Sequence, residues 1–150
     1  MNESTIKIRL MKADDFAAVV RIDEKVLKAS RSEYYRLKFE TLVQSPDYLP
    51  TSLVAEEKGG MVVGFVMGEL YIGDYGITQK KATLDTIGVD PDCQHKGIGK
   101  QLINEFMDHL KALGARKIIT LVDSNDSRLM HFFSANQFSP SKTINLERNL

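Results

Sequence analysis

Residues 84–106 read LDTIGVDPDCQHKGIGKQLINEF, and the apolar period changes partway along them. Ala82 to Val89 is strand-like. Beyond it Ile98, Leu102, Ile103, Phe106, Met107, Leu110 and Leu113 recur at helical spacing, and Gly114 stands where a left-handed C-terminal cap falls. The turn between them, Asp90 to Lys96, runs into the hexapeptide Gln94-His95-Lys96-Gly97-Ile98-Gly99, within which the helix begins. A helix start presents N–H groups without intrahelical partners and a partial positive charge, and glycines let another group approach without meeting a Cβ. Such a turn suits a phosphate or pyrophosphate, although glycines also serve a tight strand-to-helix connection with no ligand. Two other phosphate loops fail on spelling. A Walker A loop requires a Gly at position 94 and Ser or Thr after the Lys, where this chain has Gln94 and Gln101. A dinucleotide fingerprint requires a third small residue where this chain has Leu102.

Working outward, Thr5 to Met11 alternates Ile6, Ile8 and Leu10 with polar neighbours, as a strand with one buried face does. Asp14 suits the N-cap of a helix carrying Val19, Val20, Ile22, Val26 and Leu27. Ser32 suits that of a second helix with Tyr35, Phe39, Leu42 and Val43 inward. Ser52 to Glu57 and Met61 to Leu70, separated by Lys58-Gly59-Gly60, predict an antiparallel hairpin. After the long helix, Lys117 to Val122 predicts a strand, Asp123-Ser124-Asn125 caps a short helix through Ala135, and Thr143 to Leu146 predicts a last strand. The order β-α-α-β-β-β-α-β-α-β describes an α/β chain with a mixed sheet, expected to form a single domain over residues 1–150.

The composition narrows the function. Twenty Lys and Arg balance twenty Asp and Glu, which argues against a cationic surface that binds nucleic acid through its phosphates. The longest apolar stretch, Met61 to Met67 interrupted by Gly64, is too short to span a membrane. The single cysteine forms no internal disulfide, and the first residues are too polar for a secretory signal, so a cytoplasmic location is expected. His95, His109 and His131 lack metal-ligand spacing; His109 is expected on an exposed helix face and no metal is expected.

Gln94, Gly97 and Gly99 closely resemble motif A of the GNAT superfamily of acyl-CoA-dependent N-acyltransferases, whose pattern is Gln/Arg-x-x-Gly-x-Gly/Ala. Leu84 to Pro91 is similar to the family's fourth strand, Leu129 to Phe138 to its terminal helix and following strand, and Ile8-Arg9 and Asp14-Asp15 to its opening. The resemblance implies that backbone amides of His95, Lys96, Gly97, Ile98, Gly99 and Lys100 hold the pyrophosphate of acetyl-CoA, with Gln94 assisting at the turn. It also implies that the segment Ile87-Gly88-Val89 lends main-chain groups, those of Ile87 and Val89, to the pantetheine arm, and that Asn125 contacts CoA, with Asp126 nearer by count to the family's Asn. Either residue also fits a helix N-cap.

The pattern breaks at the end. Counting back from Phe138 puts Phe133 where many members have the Tyr that protonates the departing thiolate, and Gln137 where they have Gly. Phe133 donates no proton, yet a thiol with a pKa of about 8.5 leaves readily as its thiolate. The acceptor ammonium, with a pKa near 10, must lose a proton before it attacks, and a carboxylate is the natural base. Asp85, four residues before Val89 and expected on the same strand face, is the first candidate, and Glu69 the second. Tyr71 and Tyr75 are weaker candidates for acid or acceptor-site roles, and Asp74 adds to the acidity that points to a cationic amine. Cys93 is read as an incidental thiol, because direct transfer needs no covalent intermediate. The implied function is an N-acetyltransferase acting on a primary amine of a small molecule or protein, as monomer or homodimer. A CoA-binding sensor with impaired catalysis is the alternative that Phe133 raises.

Overall fold

A computed structural model describes residues 5–72, 76 and 78–150, so Asp74 and Tyr75 lie outside the described residues. The chain divides into two compact units, Met1–Thr120 and Leu121–Leu150. The second is smaller than the usual size of an independently folding domain.

In the first unit, β1 (Lys7–Leu10), α1 (Phe16–Leu27), α2 (Ser32–Leu42), β2 (Leu53–Glu56), β3 (Val62–Tyr71), β4 (Lys81–Val89), α3 (Ile98–Ala112) and β5 (Lys117–Ile119) follow in order. The five strands lie side by side in chain order. All neighbours are antiparallel except β4 and β5, which are parallel because α3 crosses over between them. Gly59 and Gly60, at φ 109° and 94°, make the tight turn of the β2–β3 hairpin.

The sheet is covered on both faces. On one, Val19 and Ile22 of α1 and Tyr35, Phe39 and Leu42 of α2 pack with Val54, Phe65 and Met67. Phe16 meets Phe39 edge to face at 5.3 Å between ring centroids. On the other, α3 buries Ile98, Leu102, Ile103, Phe106 and Leu110. A Cβ on Gly64 would stand 3.0 Å from Leu102, and one on Gly68 would stand 2.7 Å from Phe106 and collide with the Thr83 carbonyl. Those positions therefore admit α3 to a distance that a larger residue forbids. Each such fully buried side chain contributes about 1.5–3 kcal/mol of transfer free energy, so α3 is fixed along its length.

The helix starts differ from the expected caps. A 3-10 turn, Ala13–Asp15, precedes α1, and Asp15 rather than Asp14 is the buried acid. Its carboxylate accepts the Lys12 N–H at 2.7 Å and both terminal nitrogens of Arg9 at 2.9 Å. Arg9 also pairs with Glu56, so β1, β2 and the start of α1 share one ionic clasp. Burial pushes the Asp15 carboxyl up, but Arg9 and the Lys12 N–H outweigh it and hold it below the usual carboxylate range. Ser32 is the first residue of α2 rather than its cap, and Arg31 precedes it.

In the second unit, α4 (Ser127–Ala135) is capped by Asp126, whose carboxylate accepts the Leu129 N–H at 3.1 Å. Phe133 is buried, with its ring 5.4 Å from Phe132 and 5.1 Å from Phe138. Gln137, in the family's glycine position, takes the left-handed conformation, φ 69°, that a glycine adopts more easily. The expected strand over 143–146 does not form. Ile144 and Leu146 are 81% and 85% exposed, and an alternating pattern makes a strand only where a neighbour supplies the ladder of hydrogen bonds. The expected strand over 117–122 stops at Ile119 for the same reason, since β4 pairs with it only from Lys81 to Thr83.

Candidate active site

The short β5 leaves part of β4 with an open edge. β5 pairs with Lys81, Ala82 and Thr83, and the Thr120 hydroxyl donates to the Leu84 carbonyl at 2.9 Å. From Asp85 to Val89, β4 is paired on its β3 side alone, among the described residues. Which main-chain groups face that opening follows from parity. The Asp90 N–H donates to the Val63 carbonyl at 2.8 Å, so Asp90, Gly88 and Thr86 turn their N–H and C=O groups to β3. Ile87 and Val89 turn theirs to the open edge. Gly88 therefore spends its main chain on β3, and its missing side chain serves packing, since a Cβ there would stand 2.8 Å from the Phe65 ring. The open run is about 13 Å long at the usual rise per residue.

One end of the run meets the glycine turn. The chain passes from Val89 through a 3-10 turn, Pro91–Cys93, to α3. Asp90 accepts the Asp92 N–H at 3.0 Å and pairs with Lys25 of α1 at 2.7 Å. Burial pushes the Asp90 carboxyl up, and Lys25 with the Asp92 N–H more than reverses this. The Gln94 side chain donates to the Val89 carbonyl at 3.2 Å and so ties the turn to the open strand. His95 and Gly97 take left-handed backbone, φ 67° and 78°. A Cβ on Gly97 would meet nothing within 4 Å, which leaves open space in front of the first turn of α3, where Ile98, Gly99 and Lys100 have no carbonyl one turn behind to bond. His95, Lys96 and Lys100 are exposed around it. An anion at this point would meet N–H donors, the positive end of a 15-residue helix and nearby cations.

The other end of the run, at Asp85, meets a recess lined by one acid and one amine, Glu69 and Lys38. The β3–β4 register slips between Met67 and Gly68, so that Thr86 pairs with Met67, Leu84 with Gly68, and Asp85 is the extra residue. The bulge alters the expected alternation. Thr86 reaches the Tyr35 hydroxyl of α2 at 3.0 Å, and its neighbour Asp85 reaches Lys38 of the same helix at 2.7 Å. Consecutive residues thus point to one helix, and Asp85 does not share a strand face with Val89 as simple period-two counting predicts. Tyr34, Leu37, Lys38 and Thr41 of α2 and Glu69 of β3 line a recess of about 290 Å³ beside this bulge. The Tyr48 hydroxyl donates to Glu69 at 3.4 Å, and the Lys38 ammonium lies 5.8 Å from the Tyr34 ring centroid. Burial pulls the Lys38 ammonium down, but Asp85 outweighs that and holds it above the ordinary lysine range.

Beneath the recess a buried network braces α2. Tyr35 donates its one proton to Asp23 at 2.7 Å, so the Thr86 hydroxyl is the donor in their 3.0 Å contact. Arg31 forks onto both Asp23 oxygens at 2.9 and 2.7 Å. Neither Lys38 nor this network was legible in the sequence. The only trace is that Tyr34 and Lys38 flank the inward stripe of Tyr35, Phe39 and Leu42 at helical spacing.

The remaining expected site residues are placed as follows. Tyr71 ends β3. Cys93 is half-buried, and burial together with Asp90 and Glu57 pushes its thiol up, away from the reactive thiolate. The expected exposed face for His109 does not hold: the ring is half-buried and bonds the Pro50 carbonyl at 2.7 Å. In the second unit Asn125 donates its N–H to Asp123 at 2.8 Å, while Asp126 serves as the cap. Among the described residues no cluster of His, Cys, Asp and Glu is arranged to hold a metal ion, and no helix is long and apolar enough to cross a membrane.

Known proteins share this fold. Residues 16–138 match the sequence profile of the acetyltransferase (GNAT) family. Mycothiol acetyltransferase of Propionibacterium freudenreichii is 30% identical over 91 residues, which are 61% of this chain and 28% of that protein. The chain thus spans less than a third of that relative's length. An acetyltransferase of Pectobacterium atrosepticum is 27% identical over 147 residues, covering 97% of this chain and 96% of its own. Among solved structures, an aminoglycoside N-acetyltransferase in complex with CoA superposes with a TM-score of 0.78 at 18% identity, covering 99% of this chain and 97% of that one.

Proposed function

The chain belongs to the acetyltransferase (GNAT) family, and from that premise we propose that it transfers the acetyl group of acetyl-CoA directly to a primary amine. In this reading the amides from His95 to Lys100 receive the pyrophosphate. The pantetheine arm lies along β4 as an added strand, bonded to the outward main-chain groups of Ile87 and to the Val89 N–H, the Val89 carbonyl already accepting from Gln94. The acetyl thioester then comes to rest at the Asp85 bulge, where Thr120 bonded to Leu84 closes the edge.

The observation that carries this reading is the open edge of β4, which begins at an anion-suited helix start and ends at the Lys38–Asp85 pair beside the recess that Glu69 lines. The recess selects the acceptor class. Asp85 and Glu69 set two carboxylates against the one Lys38 ammonium, so an entering ammonium balances the charge. The amine gives its proton to Asp85 or Glu69, its lone pair attacks the carbonyl, and CoA departs as a thiolate that needs no acid at Phe133. Neighbours that carry an aminoglycoside acceptor in their description support a small polycationic amine as one such substrate.

Two measurements test this. Calorimetry with acetyl-CoA should show one site per chain. Release of free thiol should depend on an added amine, screened over diamines, amino sugars and peptides with free N-termini. Acetyl-CoA binding without amine-dependent release from any of these would refute the transferase reading, and no binding at all would refute the site.

A further inference from the structure

The acceptor recess of the free protein already contains an amine. Lys38 Nζ sits 2.7 Å from Asp85, lines the recess with Glu69, and lies 5.8 Å from the Tyr34 ring centroid. Only 24% of its side chain is exposed, so it is an interior occupant rather than a solvated surface lysine. Its surroundings, two carboxylates and an aromatic ring, are those that would receive a substrate ammonium.

We propose that Lys38 is an internal acyl acceptor, which takes the acetyl group from bound acetyl-CoA when no external amine occupies the recess. The inference rests on the reading above, in which the thioester ends at the Asp85 bulge. The step balances without a further reactant. The ammonium of Lys38 passes one proton to Asp85, and its lone pair attacks the thioester carbonyl carbon. The carbon–sulfur bond breaks, the thiolate of CoA leaves and takes up the second proton that the nitrogen sheds as it becomes an amide, and Asp85 returns the first proton to solvent. The products are an acetyl amide on Lys38, free CoA and one proton. That amide carries no charge for Asp85 to hold and adds bulk to a recess of about 290 Å³, so the modified protein would bind external amines poorly. An external acceptor must displace Lys38 from Asp85 before it reacts, which restricts acceptors to those whose ammonium competes with an internal ion pair.

The test uses the full chain with acetyl-CoA carrying a carbon-13 acetyl group, at pH 8.5 and without added amine. Label on each lysine is followed by peptide mass spectrometry. Exposed Lys7 and Lys111 report the background reaction of acetyl-CoA with lysine in solution. Label on Lys38 should accumulate at least about ten times faster than on these two, because the thioester is held beside it and a base is in contact. In Gly99→Val, which blocks the CoA turn, the Lys38 rate should fall to background. Lys38→Arg should remove the fast label from the intact mass while acetyl-CoA still binds by calorimetry. If acetyl-CoA binds and Lys38 gains label no faster than Lys7 and Lys111, or equally fast in Gly99→Val, the internal-acceptor role is overturned and the transferase reading stands. If acetyl-CoA does not bind the unaltered chain, the site reading itself falls and takes this inference with it.

Discussion

Valine at Gly97 and valine at Gly99 should act alike on CoA binding and differently on stability. Gly97 precedes α3 at φ 78° and has nothing within 4 Å of a built Cβ. A valine there therefore meets no clash, only the left-handed backbone penalty of about 1–2 kcal/mol, which a β-branched residue feels fully. For a chain of this size that lowers the melting temperature by roughly 2–8 °C. Gly99 lies within α3 and has no positive φ, so valine at that position escapes this strain and gains a few tenths of a kcal/mol in helix propensity, about what Val holds over Gly. A side chain at either position adds bulk at the helix start where, in the proposed reading, a phosphate approaches the amides. Each charge-assisted hydrogen bond lost is worth about 1.5–3 kcal/mol, so affinity should fall at least roughly tenfold, and more than about a hundredfold if two are lost. Calorimetry with CoA gives the affinities, and dichroism melts give the stabilities. Unchanged affinity in both variants would refute the assignment of this turn to the pyrophosphate, and equal destabilisation in both would refute the strain argument.

The other expectations concern the acids, the thiol and the second unit. Asp85→Asn should slow acetylation of a good amine acceptor by about 10²- to 10⁴-fold with CoA affinity nearly unchanged, and higher pH should restore part of the rate as more acceptor is already neutral; full activity at all pH values would transfer the role to Glu69, tested by Glu69→Gln. Cys93→Ala should keep amine-dependent thiol release, with or without a chelator, and complete loss in a folded, CoA-binding variant would indicate an acyl-cysteine step. Asp15 has its carboxyl lowered in the folded chain, so its clasp with Arg9 stabilises above the unfolded carboxyl range and that contribution disappears as pH falls below about 4; Asp15→Asn should flatten this acid limb in melts taken against pH. Gln137→Gly should stabilise by about 0.5–1 kcal/mol by relieving the left-handed backbone, and a lower melting temperature would show that the Gln side chain matters more.

Much of the first unit was legible in the sequence because its signals are local. The helical recurrence from Ile98 to Leu110, the hairpin glycines and the alternating β4 run each follow from contacts within one element or between neighbours, and the folded chain realises each within a residue or two. The spelling Gln94-x-x-Gly97-x-Gly99 likewise carries its own geometry, since left-handed backbone and a helix start lie inside the hexapeptide. The same local reasoning failed where pairing decides. Ile144 and Leu146 alternate like a strand but pair with none among the described residues, and β5 stops once β4 no longer pairs with it.

The acceptor side of the site depended on tertiary structure almost entirely. Asp85 and Glu69 were visible as acids in strands, yet nothing in the string shows that one extra residue at Asp85 turns its side chain to α2. That Lys38, 47 positions earlier, meets Asp85 at 2.7 Å depends on how α2 lies across the sheet. The elements, their order and the phosphate-suited turn are therefore encoded by neighbours along the chain. The register slip, the open edge of β4 and the amine in the recess were decided only by packing, because they arise from residues far apart in sequence whose positions the whole sheet sets at once.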